Sequence, residues 1–306
     1  MAPEVRRVGA IALVGPTASG KSALAHAAAL AAGDVELVTV DAMQVYRDMD
    51  IGTAKPNAAA QAEVRHHLLD VADPDEDFSL ARFLVAARAA MADIAGRGHR
   101  SLLVGGTGLY VRALVDDLDV PGVHPEVRRA LEAEPDTTAL HARLTRLDPV
   151  AAARMEPTNR RRIVRALEVT VGSGRPFSSF GHGLEVHPPS PVRQVGLRVE
   201  AGVLDRRIAE RVDVMLATGF VDEVARLADR PGGPSRTARQ AIGYAEVLDH
   251  LEGRCSLEEA AAETVRRTRR LARRQVRWFR RDPRIRWVDT TGNPLPDPAV
   301  VLGDST

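Results

Sequence analysis

The sequence predicts an α/β protein with a parallel-sheet core, an inserted all-helical domain and a helical C-terminal region. Three patterns predict it. Over the first third of the chain, short continuously apolar runs alternate with helical segments, as buried parallel strands do with their crossover helices. From about Pro121 only helical periodicity remains, until a stretch rich in glycine and proline between Gly172 and Pro191 breaks it. One more strand-like run, Val192–Val199, precedes helices that continue to about Arg281. A chain of 306 residues, 44% of them hydrophobic, can build two cores. We expect one domain from residues 1–119 with 190–306, and the inserted helical one at 120–189.

In chain order, Val8–Val14 is an apolar run that ends in a glycine-rich turn and a helix, and Val35–Val40 repeats the strand signal. Leu68–Val71 and Ser101–Val104 read as short strands on either side of an amphipathic helix from Leu80 to about Ala95. Pro125–Glu134, Thr138–Leu147 and Arg160–Val171 read as the helices of the insertion, and the tail after Val288 is expected to be disordered. No run is long enough to span a bilayer, and the most N-terminal one leads into no cleavage site. A single cysteine, Cys255, closes no internal disulfide, so the expected compartment is the reducing cytoplasm. No obligate protein partner is evident.

Gly15-Pro16-Thr17-Ala18-Ser19-Gly20-Lys21-Ser22 satisfies G-x-x-x-x-G-K-[ST] between a buried strand and a helix, the setting that pattern requires. Its glycines let backbone N–H groups curl around phosphate oxygens, Lys21 supplies a point charge, and the Ser22 hydroxyl can hold Mg²⁺. The core is therefore P-loop NTPase-like, and a di- or triphosphate is the expected ligand. Lysine is scarce: Lys21 and Lys55 are the only two, against 40 arginines, so a compact ammonium is needed at those places. The apolar strand ending in a metal-binding acid that ATPases and GTPases use is not evident.

Asp41 ends the second strand, and carboxyl ends of parallel strands face the ligand crevice, so Asp41 points towards the same phosphates or else caps the next segment. Gly105-Gly106-Thr107-Gly108 follows another strand and suits a phosphate or substrate contact or a tight turn. Asp41–Tyr46 and Asp50–Pro56 have the irregular polar character of a site-lining loop, in which Lys55 has no evident structural requirement. Adjacent His66 and His67 point apart and lack a third ligand at metal spacing. The acidic loop Asp73–Asp77 lacks the glycine of a calcium loop.

Net charge is only +1, which by itself indicates no polyanionic partner. Yet Thr264–Arg281 holds nine arginines and no acid in eighteen residues. On a helical wheel Val265, Ala272, Val276 and Phe279 share one face, and the arginines fill a separate arc of about 160°. That is a docked helix whose guanidinium face, with Arg270, Arg273 and Arg277, either follows a nucleic-acid backbone or pairs with the chain's own acids. Arg160, Arg161, Arg162 and Arg165 form a second basic cluster in the insertion, and two such surfaces suggest a clamp on nucleic acid.

Together these stretches resemble the tRNA dimethylallyltransferases, or tRNA isopentenylpyrophosphate transferases, of bacterial type. Carrying the resemblance with them are His66–Asp70, Val104–Tyr110, Arg165–Val169, Gly219–Val224, Gln240–Tyr244 and Arg273–Phe279, in order over nearly the whole chain. The resemblance implies transfer of a dimethylallyl group from dimethylallyl diphosphate to N6 of adenosine 37, in the anticodon stem-loop of tRNA, with Mg²⁺ assisting and diphosphate released. It implies Asp41 as general base, Thr107 near the reacting amine, and Thr17, Lys21, Ser22 and Arg211 on the diphosphate, with Arg207 a rival to Arg211. It also implies tRNA contacts at Asp41, Ala42, Met43, Gln44 and Thr107, at Arg128, and at Arg161, Arg162 and Arg165. One departure stands out: many relatives carry glutamine where this chain has Arg161. A prenyltransferase of free adenine nucleotides and a P-loop small-molecule kinase are the alternatives, together with a non-catalytic RNA-binding module.

Overall fold

The computed structural model describes residues 9–180, 186–292 and 295–303. Strand β1 (Ile11–Val14) runs into the P-loop and helix α1 (Lys21–Ala32); β2 (Val35–Val40), α2 (Ala58–Glu63), β3 (His66–His67), α3 (Leu80–Gly96), β4 (Arg100–Gly105) and α4 (Gly108–Val115) follow. Four helices come next: α5 (Pro125–Glu132), α6 (Thr137–Leu147), α7 (Pro149–Ala153) and α8 (Arg160–Ser173). After β5 (Arg193–Arg198) come α9 (Ala201–Ala217), α10 (Phe220–Ala228), α11 (Arg236–Arg239), α12 (Tyr244–Leu251), the long α13 (Leu257–Phe279), β6 (Ile285–Asp289) and α14 (Ala299–Leu302).

Residues 1–115 and 189–306 form one compact unit, and residues 116–188 another. The larger unit is built on a six-stranded parallel sheet of order β3-β2-β4-β1-β5-β6. The inner strands β1 and β2 are buried along their whole length, and on one face of the sheet Leu13, Leu102, Val195 and Leu197 pack with Leu24, Ala25 and Ala28 of α1. In the smaller unit Leu131, Leu140, Leu144, Ile163, Val164 and Leu167 interlock from α5, α6 and α8. Asp136 caps α6, and Asn159 caps α8, each through its side-chain oxygen.

The register of the sheet positions the site. Val14, Gly105 and Val40 lie level across β1, β4 and β2. Gly15, Gly106 and Asp41 therefore leave three adjacent strands at one height, within about 10 Å at a strand spacing of about 4.8 Å.

Three expectations are corrected. The run Leu68–Val71 is not a strand: pairing with β2 is confined to His66–His67, and Leu68 and Asp70 adopt positive φ of 66° and 56°. The chain there turns to bond the 44–45 loop, with Asp70 N–H donating to Gln44 O and Val71 N–H to Val45 O. The C-terminal stretch is ordered rather than disordered over its described part, since β6 pairs with β5 to Asp289 and Val301 of α14 is wholly buried in the main core. The first strand is shorter than Val8–Val14, beginning at Ile11, and Val8 lies outside the described residues, as do Gly181 and Gly183.

Candidate active site

Gly20 sits at the N-cap of α1 with φ of 87°, a left-handed conformation glycine adopts without strain, so the loop can turn directly into the helix and aim its N–H groups inward. Ser22, on the first turn, is exposed, whereas Ser19 is completely buried. Lys21 donates to the Pro16 carbonyl at 2.6 Å beneath the loop. Burial pulls its ammonium down to about 8, opposed by the nearby Asp41 carboxylate and reinforced by the Arg211 guanidinium. Arg211, on α9, donates to Thr17 Oγ1 at 3.2 Å, and its own pKa is lowered by burial, with Asp41 opposing. Its rival Arg207 lines the larger cavity too and donates to the carbonyls of Thr290, Thr291 and Gly292.

Asp41 caps the turn that follows β2 and also lines the cavity that Lys21 lines. Its Oδ1 accepts from Met43 N–H at 2.8 Å and Gln44 N–H at 3.4 Å, which fixes the carboxylate, while Oδ2 has no hydrogen-bond donor among the described residues. Thr107 Oγ1 accepts from Ala42 N–H at 3.3 Å, which ties the β4 loop to the Asp41 loop. Gln44 spends its side-chain amide on the Thr53 and Ala54 carbonyls.

Two cavities meet here, of about 1260 Å³ and 510 Å³, both walled in part by Thr17, Asp41, Thr53, Gly106, Arg211 and Gln275. The larger runs along Lys21, Ser22, Lys55 and Asp70. Leu109, Ile208, Met215, Phe220, Ile242, Leu271 and Trp278 line the smaller, which makes it largely apolar. The P-loop end of the larger cavity, with Lys21 and Arg211, thus adjoins a more apolar pocket, with the Asp41 carboxylate lining both.

Two residues that sequence reasoning left without a role hold the loop opposite. Lys55, almost entirely buried, donates to Tyr46 O at 2.7 Å and to Asp50 Oδ1 and Asp70 Oδ1 at 2.5 Å each, so its requirement is structural. Glu223 on α10 is buried and accepts from the N–H groups of Asp50, Ile51 and Gly52 and from the Tyr244 hydroxyl at 2.6 Å. The segments Asp50–Pro56, Gly219–Val224 and Gln240–Tyr244 thus converge on one carboxylate. His67 turns to Glu36 at 2.6 Å and His66 to the Val64 carbonyl.

The arginines of α13 divide in two. Arg266 and Arg270 pair with Glu263, Arg267 with the buried Glu246, and Arg269 and Arg273 with Asp205. Exposed Arg274, Arg277 and Arg280, towards the C-terminal end, have no carboxylate partner among the described residues. In the helical unit Arg128 and Arg165 gather around buried Glu168, and Arg160 binds the carbonyls of Glu132, Glu134 and Pro135. Exposed Arg161 and Arg162 have no carboxylate partner there among the described residues.

A pH dependence follows from the lowered Lys21. As pH rises through about 8 the ammonium of the free protein loses its proton, so affinity for inorganic diphosphate should fall above that point. A bound anion raises the Lys21 pKa and moves the midpoint of the bound form upward. Calorimetric titrations across that range, with Lys21→Met correcting for the ligand's own titration, check it: a difference curve flat in pH contradicts it.

The family model described as IPP transferase matches residues 44–282. A tRNA dimethylallyltransferase of Kineococcus radiotolerans is 52% identical, with 94% of this chain and 91% of that protein covered. One from a Nocardioides species is 48% identical over 100% and 99% of the two chains. The crystal structure of the tRNA isopentenylpyrophosphate transferase of Bacillus halodurans is 40% identical and superposes with a TM-score of 0.66, covering 93% of this chain and 90% of that one. A eukaryotic dimethylallyltransferase acting on tRNA, 27% identical, gives 0.78 over 92% and 74%. The chain is a prenyltransferase and belongs to the IPP transferase family.

Proposed function

We propose that this transferase moves the dimethylallyl group of dimethylallyl diphosphate to N6 of adenosine 37 in the tRNA anticodon stem-loop, in the cytoplasm. The observation that carries the reading is the Asp41 carboxylate, fixed by two N–H groups, lining both the cavity beside Lys21 and Arg211 of the P-loop end and the largely apolar one. The P-loop N–H groups, Lys21 and Arg211 hold the diphosphate, and the apolar cavity takes the prenyl chain and the adenine.

The exocyclic amine is a poor nucleophile because its lone pair is delocalised into the ring. Asp41 Oδ2 takes the amine proton as the N6–C1 bond forms, and the C1–O bond breaks with its electron pair going to the diphosphate. Thr107, tied to Ala42, lines the amine end of the junction. Charge developing on the leaving oxygen is met by Lys21, Arg211 and loop N–H groups already in place, at no reorganisation cost during the reaction. Adenine must leave the anticodon stack to reach this site.

The donor set also suits Mg²⁺, which keeps few protein ligands and takes the rest from phosphates and water. Ser22 offers an exposed hydroxyl at the start of α1, and no group of three or more acidic, histidine or cysteine side chains forms a protein-only cage among the described residues. When bound, Mg²⁺ would neutralise diphosphate charge.

The test incubates the protein with labelled dimethylallyl diphosphate and bulk tRNA. Label retained in the RNA after digestion, as a prenylated adenosine, supports the reading; label passing to free adenine nucleotide, or ATP-dependent phosphorylation instead, overturns it. For the RNA surface, Arg277→Glu with Arg280→Glu is expected to weaken tRNA binding and flatten its salt dependence by up to about 1.8 in slope, at about 0.9 for each phosphate no longer neutralised. Diphosphate affinity should stay unchanged. A parental salt slope in filter-binding titrations would make this end of α13 merely a solvated face.

A further inference from the structure

On a helix of arginines, Gln275 faces inward. Its carboxamide spans the carboxyl edge of the sheet, with Oε1 accepting from Thr17 N–H at 2.9 Å and Nε2 donating to Gly106 O at 3.0 Å. A backbone N–H can only donate and a carbonyl only accept, so the amide orientation is fixed by its partners. One partner belongs to the loop after β1, the other to the loop after β4. Gln275 is also the α13 residue that lines both cavities.

The sequence around it makes room for that approach. A Cβ on Gly106 would fall 2.5 Å from Gln275 Nε2, and one on Gly108 would fall 2.3 Å from Trp278, three residues along α13. These two glycines admit α13 to the β4 loop, which is a packing reason for the Gly105–Gly108 run.

We propose that Gln275 is a positioning residue of the transfer reaction: it sets the spacing between the diphosphate loop and the Gly106–Thr107 segment at the amine end. This rests on the reading above of which cavity holds which substrate. A primary carboxamide offers a donor and an acceptor at one planar tip without ionising, whereas a carboxyl of the same length could bridge the two loops neutrally only when protonated. A misplacement of about 1 Å between reacting groups costs about a hundredfold in rate.

The experiment compares Gln275→Leu and Gln275→Glu with the parent enzyme by steady-state kinetics, tRNA filter binding and calorimetric binding of inorganic diphosphate. Leucine keeps the bulk and removes both hydrogen bonds. It should lower kcat about a hundredfold with tRNA affinity within about twofold. Glutamate keeps the acceptor for Thr17, loses the donor to Gly106 and places a negative charge beside the anion. It should lower kcat and also weaken diphosphate binding, less so at low pH where the carboxyl is protonated. A residue that only packs would leave both parameters at parental values in a folded leucine variant, and that result overturns the proposal. Should the leucine variant fail to fold, the isosteric glutamate variant decides, and parental kcat and diphosphate affinity in it overturn the proposal. Parent protein that binds diphosphate but prenylates no RNA would retire the functional reading instead. The diphosphate titrations of the two variants would then still report whether Gln275 supports the loop.

Discussion

Asparagine at Asp41 is expected to slow single-turnover transfer by about two to four orders of magnitude, the usual worth of a general base, while leaving fold and tRNA affinity intact. The amide is the same size, and its oxygen can still accept from Met43 and Gln44 N–H, so the turn that carries it survives. Only the capacity to accept a proton from the amine is lost. The change removes a negative charge beside Lys21 and Arg211, both of which feel Asp41. At a pH low enough to keep Lys21 protonated without Asp41, whose carboxylate raises its pKa, inorganic diphosphate should therefore bind at least as tightly to the variant as to the parent. Reduced turnover with retained or improved diphosphate affinity is a pattern that general damage to the site would not produce. Near-parental single-turnover rates would remove Asp41 from the base role.

Arginine at Lys21, a swap that this arginine-rich chain accepts almost everywhere else, should lower kcat/KM for the donor by about 10²–10³, as loss of one positioned stabilising group does. The ammonium lies beneath the loop, donating to Pro16 O at 2.6 Å, and is already strained by desolvation and by the Arg211 charge. A guanidinium fork is broader and cannot shed its proton to relieve the repulsion. Donor kinetics and diphosphate calorimetry on the variant check it, and activity within about threefold of the parent would show that the scarcity of lysine carries no meaning at this site. The same scarcity at Lys55 has a different origin, a buried tie between Asp50, Asp70 and the Tyr46 carbonyl.

What could be read from the sequence was local. The P-loop is written in eight consecutive residues, and Asp41 follows an apolar run, so the parallel-sheet rule alone places it at the carboxyl edge. What could not be read depends on partners far along the chain. Glu223 holds Asp50–Gly52 across more than 170 positions, and Gln275 reaches Thr17 across 258. Both residues lie in stretches that carry the family resemblance, but nothing local to either one gives its role. The arginine helix was legible as an amphipathic element, but which guanidiniums are taken depends on Asp205 and Glu246, acids on α9 and α12. Strand β6 escaped because Ile285-Arg-Trp-Val-Asp289 offers only a brief apolar pattern, and parallel pairing with β5, not propensity, makes it a strand.

The most direct test of the acceptor amine is single-turnover transfer to an anticodon stem-loop in which purine riboside, which lacks the exocyclic amine, replaces adenosine 37. With adenosine, labelled dimethylallyl diphosphate should yield one prenylated nucleoside at that position. The purine stem-loop should bind with similar affinity and accept no label. A prenylated product from the purine stem-loop, or label at another nucleotide of the adenosine one, would contradict N6 of adenosine 37 as the acceptor.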